Sequence, residues 1–303
     1  MKGKLLVLAG ALALGIAASP AAAHDPIPVE YTTADGVKIK GSYWTPIGRV
    51  ETAPVAILLH MYQSDRDAWV PQIVALEYAG FAIMTIDLRG HGKSVEPAEM
   101  NLAERASRRD PSLFGAMHHD VDGAYEWLRK RKEADLSRVA LVGASVGCSV
   151  ALDYARRDKS VDVVAMLSPG TNYMGVDSVA HVKEYGDRPM LILAPESEGA
   201  SNVEPLLAAA KAAGVAPESA LFPGEDLHGT KMYGKIEGVD ERVAAFLKAA
   251  VAPQPGPKVY AAIAGDVYFT EGAVDLSKFK PDVVRVFSNA AEAEKRGLKP
   301  AGE

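Results

Sequence analysis

Cysteine is almost absent from this chain: its 303 residues carry one, Cys148. A single thiol excludes an intramolecular disulfide and any thiolate-rich metal centre. Aromatic residues make up only 7% of the chain, and basic residues do not outnumber acidic ones. There are 33 Lys and Arg against 39 Asp and Glu, for a formal net charge of −6. An acidic chain without a basic stripe is not a general nucleic-acid binder, and the run Arg105 to Arg109 reads as a solvated loop. Beyond the N-terminal stretch, no apolar run is long enough to span a bilayer.

That N-terminal stretch is different. Lys2 and Lys4 precede the apolar run LLVLAGALALGIA (5–17), and Ala21-Ala22-Ala23 supplies small residues after it. The pattern is that of an export signal cut after Ala23, with no stable membrane insertion after cleavage. It implies a periplasmic or secreted protein. Residues 24–252 are then expected to form the main domain.

What the chain does have is strand–helix alternation. PVEYTT (28–33) and VKIKGSYW (37–44) alternate around the turn Ala34-Asp35-Gly36 and predict an antiparallel hairpin. Buried strands follow at 54–60, 81–88, 138–143, 161–169, 189–195 and 219–223. Amphipathic helices are expected at 67–80, 114–133, 144–157, near 204–213, and at 239–251. About eight strands, mostly parallel and covered by helices on both faces, give an α/β sheet entered through an antiparallel edge. PQPGP (253–257) is a breaker cluster and is expected to be a linker. Beyond it, residues 258–303 hold two strand-like pieces and a short helix, a small appendage.

The chemistry gathers at Gly143-Ala144-Ser145-Val146-Gly147, where a β-branched strand breaks directly into a helix. A serine on such a turn sits in strained backbone, so the residues two before and two after it must be small. The helix that follows aims its N-terminal amides at the serine. A serine hydroxyl needs a base to become nucleophilic. Of seven histidines, only His228 falls in a loop between the last strand and the final helix. An acid is expected after the strand 189–195, where Glu198 is favoured over Glu196, with Asp177 a further alternative. An oxyanion hole needs the Val146 amide and a second one from the loop after strand 54–60, Tyr62 or alternatively Met61. His60 in that loop is expected to brace it. His118 and His119, adjacent in mid-helix, are expected to diverge and so to hold no metal. Cys148 is expected in the core. No cofactor is implied.

Between residues 28 and 251 the chain resembles the α/β-hydrolase superfamily, in particular small bacterial esterase-like and dienelactone-hydrolase-like members. The resemblance rests on His60-Met61-Tyr62, on DLRGHGKS (87–94), on GASVG (143–147) and on His228-Gly229-Thr230. It implies the α/β-hydrolase fold, a triad of Ser145, Glu198 and His228, and a structural role for His91. Met61 departs from a frequent glycine, and Glu198 from the usual Asp. The stretch between Pro169 and Pro189 is too short for a cap domain. Tyr173 and Met174 within it would line an open, shallow acyl pocket. Residues 283–301 more weakly resemble the end of the metal-binding β-hairpin module of methylated-DNA repair proteins, without its cysteines, so no metal is carried over.

The function expected from this is an exported serine hydrolase that cleaves a small-molecule carboxylic ester through an acyl-enzyme on Ser145. A peptidase or thioesterase would use the same triad. A catalytically silent binding module would keep the fold and lose turnover.

Overall fold

The computed structural model describes residues 25–47, 52–252 and most of 259–302; residues 1–24, 48–51, 253–258, 263–264, 271, 274–283, 288, 296 and 303 lie outside the description. The expected export signal and the PQPGP linker therefore fall outside the described residues.

Eight strands form the central sheet: β1 (Ile27–Thr32), β2 (Lys38–Trp44), β3 (Ala53–Leu59), β4 (Ala82–Ile86), β5 (Ala134–Ala144), β6 (Val161–Leu167), β9 (Met190–Pro195) and β10 (Glu218–Phe222). Their spatial order is β1-β2-β4-β3-β5-β6-β9-β10. The first hairpin is antiparallel, and β2 also runs antiparallel to β4. From β4 to β10 every pairing is parallel. The short pair β7 (Asn172–Tyr173) and β8 (Val176–Asp177) stands apart.

The inner parallel strands read as apolar runs because both of their faces are buried, whereas the edge strand β10 is largely exposed. In β3, Val55, Ile57 and Leu59 enter the apolar cluster on one face, and Ala56 and Leu58 enter the cluster on the other. β5 divides in the same way, with Val139 and Leu141 on the first face and Ala140, Val142 and Ala144 on the second. The first face is covered by α4 (His118–Leu128), α5 (Val146–Arg157) and α7 (Glu204–Ala212), and the second by α1 (Val70–Ala79) and α8 (Val239–Ala250). The chain runs from β3 outward to β4 and then returns to the other side of β3 as β5. Such a reversal opens a crevice at the carboxyl ends of the strands, where ligands bind in open α/β sheets.

Two local expectations are corrected. The helix expected over 114–133 begins only at His118, because Pro111–Gly115 forms a separate short turn, α3, capped by Asp110. Arg105 lies in a further helix, α2 (Leu102–Ser107), and is paired with Asp110 at 2.7 Å; Arg108 is paired with Glu104, so this run is not an open loop. The stretch between Pro169 and Pro189 forms the β7–β8 pair and the short α6 (Ser178–Val182).

In the C-terminal segment the expected strand pair is instead a four-stranded sheet. It runs in the order β13 (Val284–Phe287), β11 (Val259–Ala262), β12 (Val267–Thr270), β14 (Lys299–Pro300), with α9 (Ala290–Lys295). It has its own small apolar cluster around Val259, Tyr268, Phe287 and Ala293. Among the described residues no helix is long and apolar enough to cross a membrane.

Candidate active site

Ser145 is the residue between β5 and α5, with φ 51° and ψ −118°. A non-glycine residue held there costs on the order of 1–3 kcal/mol, which the surrounding structure must impose. The Ser145 amide donates to the Leu167 carbonyl at 2.9 Å, tying the turn to the end of β6. The two flanking glycines are needed for close backbone approach. A Cβ on Gly143 would lie 2.5 Å from the Cys148 amide nitrogen, and one on Gly147 would lie 2.7 Å from the Leu59 carbonyl carbon. The second contact also shows that the first turn of α5 is pressed against the loop leaving β3. This juxtaposes the Val146 end of the helix with the Met61-Tyr62 segment.

His228 follows β10, and its Nδ1 lies 2.6 Å from Glu198 Oε1. A carboxylate oxygen accepts, so Nδ1 is the donor in this contact. Glu198 sits in a one-turn 3-10 helix (Glu196–Glu198) at the end of β9. Its Oε2 is buried without a hydrogen-bond partner among the described residues. Glu196, two residues earlier, is exposed. Asp177 is committed elsewhere, capping α6 by accepting from the Ala180 amide at 2.9 Å. Of the three carboxylates weighed, the structure brings Glu198 to the histidine.

Tyr173 is half-buried beside these groups. Its ring meets that of His228 edge-on at 6.4 Å, and its hydroxyl interacts with the Ser145 side chain. Burial, and after it the Glu198 carboxylate, raises the phenol above its ordinary value, so it keeps its proton. Gly170 makes room for this ring, since a Cβ there would strike it. Met174 occupies the β7–β8 turn at φ 49° and packs against the apolar cluster of that face. Of the two residues expected at the acyl side, Tyr173 is the one seen beside Ser145 and His228.

Cys148 is fully buried, and its thiol donates to the carbonyls of Gly143 at 3.2 Å and Leu167 at 3.3 Å. Burial pushes that thiol well above its ordinary value, which keeps it from acting as a thiolate nucleophile.

Two further residues shape the site. Ser168, at φ 56° and fully buried, accepts a hydrogen bond from the Gly229 amide at 2.9 Å and so anchors the His228 loop to the end of β6. Met61, where a glycine is frequent in the resembled superfamily, underlies the same loop, its sulfur 3.8 Å from Thr230 Oγ1. Neither follows from strand or helix patterning. The one signal for Ser168 is a polar residue ending the apolar run 161–167. His60 does brace its loop. Its Nδ1 is 2.7 Å from the Met61 carbonyl, and its Nε2 accepts from the Leu88 amide at 3.0 Å. Burial lowers its pKa to about 3, so the ring is neutral.

Beside the loop after β3, Tyr62, Asp65, His91, Ala103 and Ser107 are among the residues lining an open pocket of about 320 Å³, whose lining includes none of Ser145, Glu198, His228, Tyr173 and Met174.

His118 and His119 do not diverge. His118 opens α4 rather than lying within it, and the two rings are 4.0 Å apart. With Asp122 they form a group whose ligand atoms lie within 4.8 Å of one another. The cause is local, because the His118 Nδ1 donates to the Gly115 carbonyl at 2.9 Å and turns the ring along the first turn. This group stands on α4, away from the elements that carry Ser145, Glu198 and His228.

A parallel sheet with a serine on a strained strand-to-helix turn, followed in chain order by an acid and a histidine, defines an α/β-hydrolase. Residues 56–291 match the model of the alpha/beta hydrolase family, and the chain belongs to that family. An uncharacterized protein of Mycobacterium tuberculosis is 28% identical over 148 residues, 48% of this chain and 47% of the relative. The chain thus spans about half the length of the curated relatives it matches. Among solved structures, an esterase of Pyrococcus furiosus superposes with a TM-score of 0.58 at 18% identity, over 75% of this chain and 91% of that one. An acylaminoacyl peptidase of Pyrococcus horikoshii gives 0.59 at 14% identity, over 77% of this chain and 43% of that one. At such identities these structures show the fold alone. The family supports a hydrolase. None of these similarities supports the resemblance of residues 283–301 to a DNA-repair module.

Proposed function

We propose that this protein is an exported serine hydrolase acting on carboxylic esters, with Ser145 as nucleophile, His228 as general base and Glu198 as the acid that orients it. The observation that carries the reading is the pairing of a serine on a strained elbow with a histidine whose Nδ1 is held by a carboxylate at 2.6 Å. With Nδ1–H bound to Glu198, Nε2 is the nitrogen left to take the serine proton. Ser145 Oγ then attacks the ester carbonyl, and the amides of Val146 and of Tyr62 in the loop after β3 hold the oxyanion. Collapse of the tetrahedral intermediate breaks the bond to the alcohol, which leaves with the proton from His228. Water, deprotonated by the same Nε2, attacks the acyl-enzyme, and Ser145 recovers its proton as the acid departs. The Tyr173 phenol, protonated and close to Ser145, lines the acyl side.

The experiment is hydrolysis of a short p-nitrophenyl ester by the protein without residues 1–23, together with labelling by a fluorophosphonate. Turnover and a label on Ser145, both lost in Ser145→Ala with an unchanged thermal melt, are expected. A folded protein that neither turns over ester, thioester or peptide nor takes the label would make the fold a binding module instead. Export is tested separately, by the N-terminal sequence of the protein recovered outside the cytoplasm, expected to begin at His24.

A further inference from the structure

The acyl-transfer steps make no use of His118, His119 and Asp122 at the start of α4. One ligand atom from each of these residues lies within 4.8 Å of the other two. The helix accounts for part of this, since residues three and four apart share a face, and Asp122 stands four after His118 and three after His119. The side chains are 18%, 34% and 53% exposed, so an ion can approach them from solvent.

The spacing suits coordination better than it suits hydrogen bonding. His119 Nδ1 lies 3.6 Å from Asp122 Oδ2, too far for a hydrogen bond. Two ligand atoms on one tetrahedral zinc ion stand roughly 3.4 Å apart, given metal–ligand bonds of about 2.0–2.1 Å. His118 is held as metal-binding histidines are, with one ring nitrogen on a backbone carbonyl. Its Nδ1 donates to the Gly115 carbonyl at 2.9 Å. That leaves Nε2, which has no hydrogen-bond partner among the described residues and is not sealed from solvent.

The charges around the group leave one carboxylate for a cation. Asp153, whose Oδ2 is 3.9 Å from His118 Nδ1, is already paired with Arg157 at 3.1 Å. Asp35, which acts electrostatically on His119, is paired with Arg89 at 2.6 Å. Asp122 has no Lys or Arg partner among the described residues, and the buried Tyr154 phenol lies close to it. Arg157 and the positive end of the α4 dipole oppose a cation here, but Arg157 is itself neutralised by Asp153.

We propose that His118, His119 and Asp122 bind one divalent transition-metal ion of the zinc class, with water completing its shell. Two imidazole nitrogens and one carboxylate oxygen suit zinc and its late first-row neighbours, whereas Ca²⁺ and Mg²⁺ take shells of oxygen. A bound ion would tie the first residue of α4 to the following turn. Metal binding here is independent of whether Ser145 attacks an ester.

The test is calorimetric titration of Zn²⁺ into the untagged, chelator-treated protein, with Ca²⁺ in parallel. One equivalent of Zn²⁺ is expected to bind and to raise the melting temperature, because an ion held only by the folded state stabilises it. Ca²⁺ is expected to do neither. His119→Gln and Asp122→Asn each remove one ligand. Each should weaken binding by at least the roughly ten- to hundredfold that loss of a mere supporting group costs. Neither residue is buried, so both variants should melt like wild type when no metal is present. His228→Gln should bind Zn²⁺ as wild type does, which separates this group from the histidine beside Glu198. In ¹⁵N-histidine-labelled protein, Zn²⁺ should move the ring resonances of His118 and His119 and leave those of the buried His60 in place. Four results would each overturn the site: no Zn²⁺ binding, binding weakened less than about tenfold in either ligand variant, binding lost in His228→Gln instead, or His118 and His119 resonances that ignore the ion.

Discussion

His60 makes a quantitative prediction about acid stability. Its ring is fully buried, with Nδ1–H on the Met61 carbonyl and Nε2 accepting from Leu88. Protonating Nε2 would destroy the second bond and bury a charge, and burial accordingly lowers the folded pKa to about 3. In the unfolded chain the ordinary histidine value is about 6.5. Between these values the unfolded state binds more protons, so stability rises with pH there. The contribution is complete above about 6.5 and is lost as pH falls toward 3. Integrating the difference from pH 7 to pH 5 gives a loss of about 2 kcal/mol from this one residue. Urea unfolding at the two pH values measures it. Many carboxylates also titrate in acid, so the informative quantity is the difference between wild type and His60→Gln. A glutamine amide can donate to Met61 and accept from Leu88 without titrating, and every carboxylate remains the same in both proteins. The loss between pH 7 and 5 should be smaller by about 2 kcal/mol in His60→Gln. Equal losses in the two proteins would refute the assignment of His60 as a buried neutral brace.

Other outcomes follow from the same contacts. Glu198→Gln should lower kcat on the order of 10⁴-fold on a short ester, while exposed Glu196→Gln should change it little; the reverse pattern would reassign the acid. Gly147→Ala places a methyl group inside the Leu59 carbonyl and should cost at least about 3 kcal/mol, read as a fall of many degrees in Tm or as loss of soluble protein. A variant melting within a degree or two of wild type would contradict the packing of α5 on the β3 loop. Tyr173→Phe, which removes one hydroxyl beside Ser145, should lower kcat/KM by about three- to tenfold. An unchanged or raised value would remove the phenol from the site.

The parts of the structure legible in the sequence are those where one physical requirement dominates. Strands buried on both faces need β-branched and aliphatic runs, and the inner strands β3, β4, β6 and β9 are found at such runs, while the edge hairpin was legible from its alternation. The elbow was legible because two glycines and a serine satisfy a steric constraint that few other sequences meet. The acid was harder, because Glu196 and Glu198 share one loop and only the turn after β9 decides which of them faces His228. Asp177 could have been set aside earlier, since Asp-Ser-Val-Ala before a short helix is an N-cap pattern, and its carboxylate does cap α6. The segment between β4 and α4 left little trace. α2 is six residues long and α3 five, too short for apolar periodicity to register. In the C-terminal sheet, β14 is only two residues and is recognisable only by what it pairs with. Ser168 acts through a contact with Gly229, 61 positions away, which no local pattern encodes.

The distribution of buried charge connects the fold to the chemistry. Away from Ser145, Glu198 and His228, the buried polar side chains concentrate around residues 87–94, and nearly each one there is tied down. Asp87 accepts from the Arg66 amide at 2.9 Å, from the Arg66 guanidinium at 2.6 Å and from the Lys93 amide at 2.8 Å. Gly92 must be glycine because a Cβ there would strike that carboxylate. Arg89, 3% exposed, is clamped between Asp120 at 2.8 Å and Asp35 at 2.6 Å, which joins the edge hairpin and α4 to the same loop. A buried ion pair of this kind contributes little net stability against a well-packed apolar substitute. Stability is therefore a poor reason for it, and geometry a better one. Leu88 within this loop donates to His60, and His60 in turn holds the carbonyl of Met61 beside the proposed oxyanion amide. Amides that stabilise a developing negative charge are effective because they do not reorganise as it forms. A loop of backbone carrying such an amide needs support from behind, and the 87–94 segment supplies it through His60. The arrangement works only while His60 is neutral, so the acid sensitivity of the fold and the rigidity of the oxyanion loop have one cause.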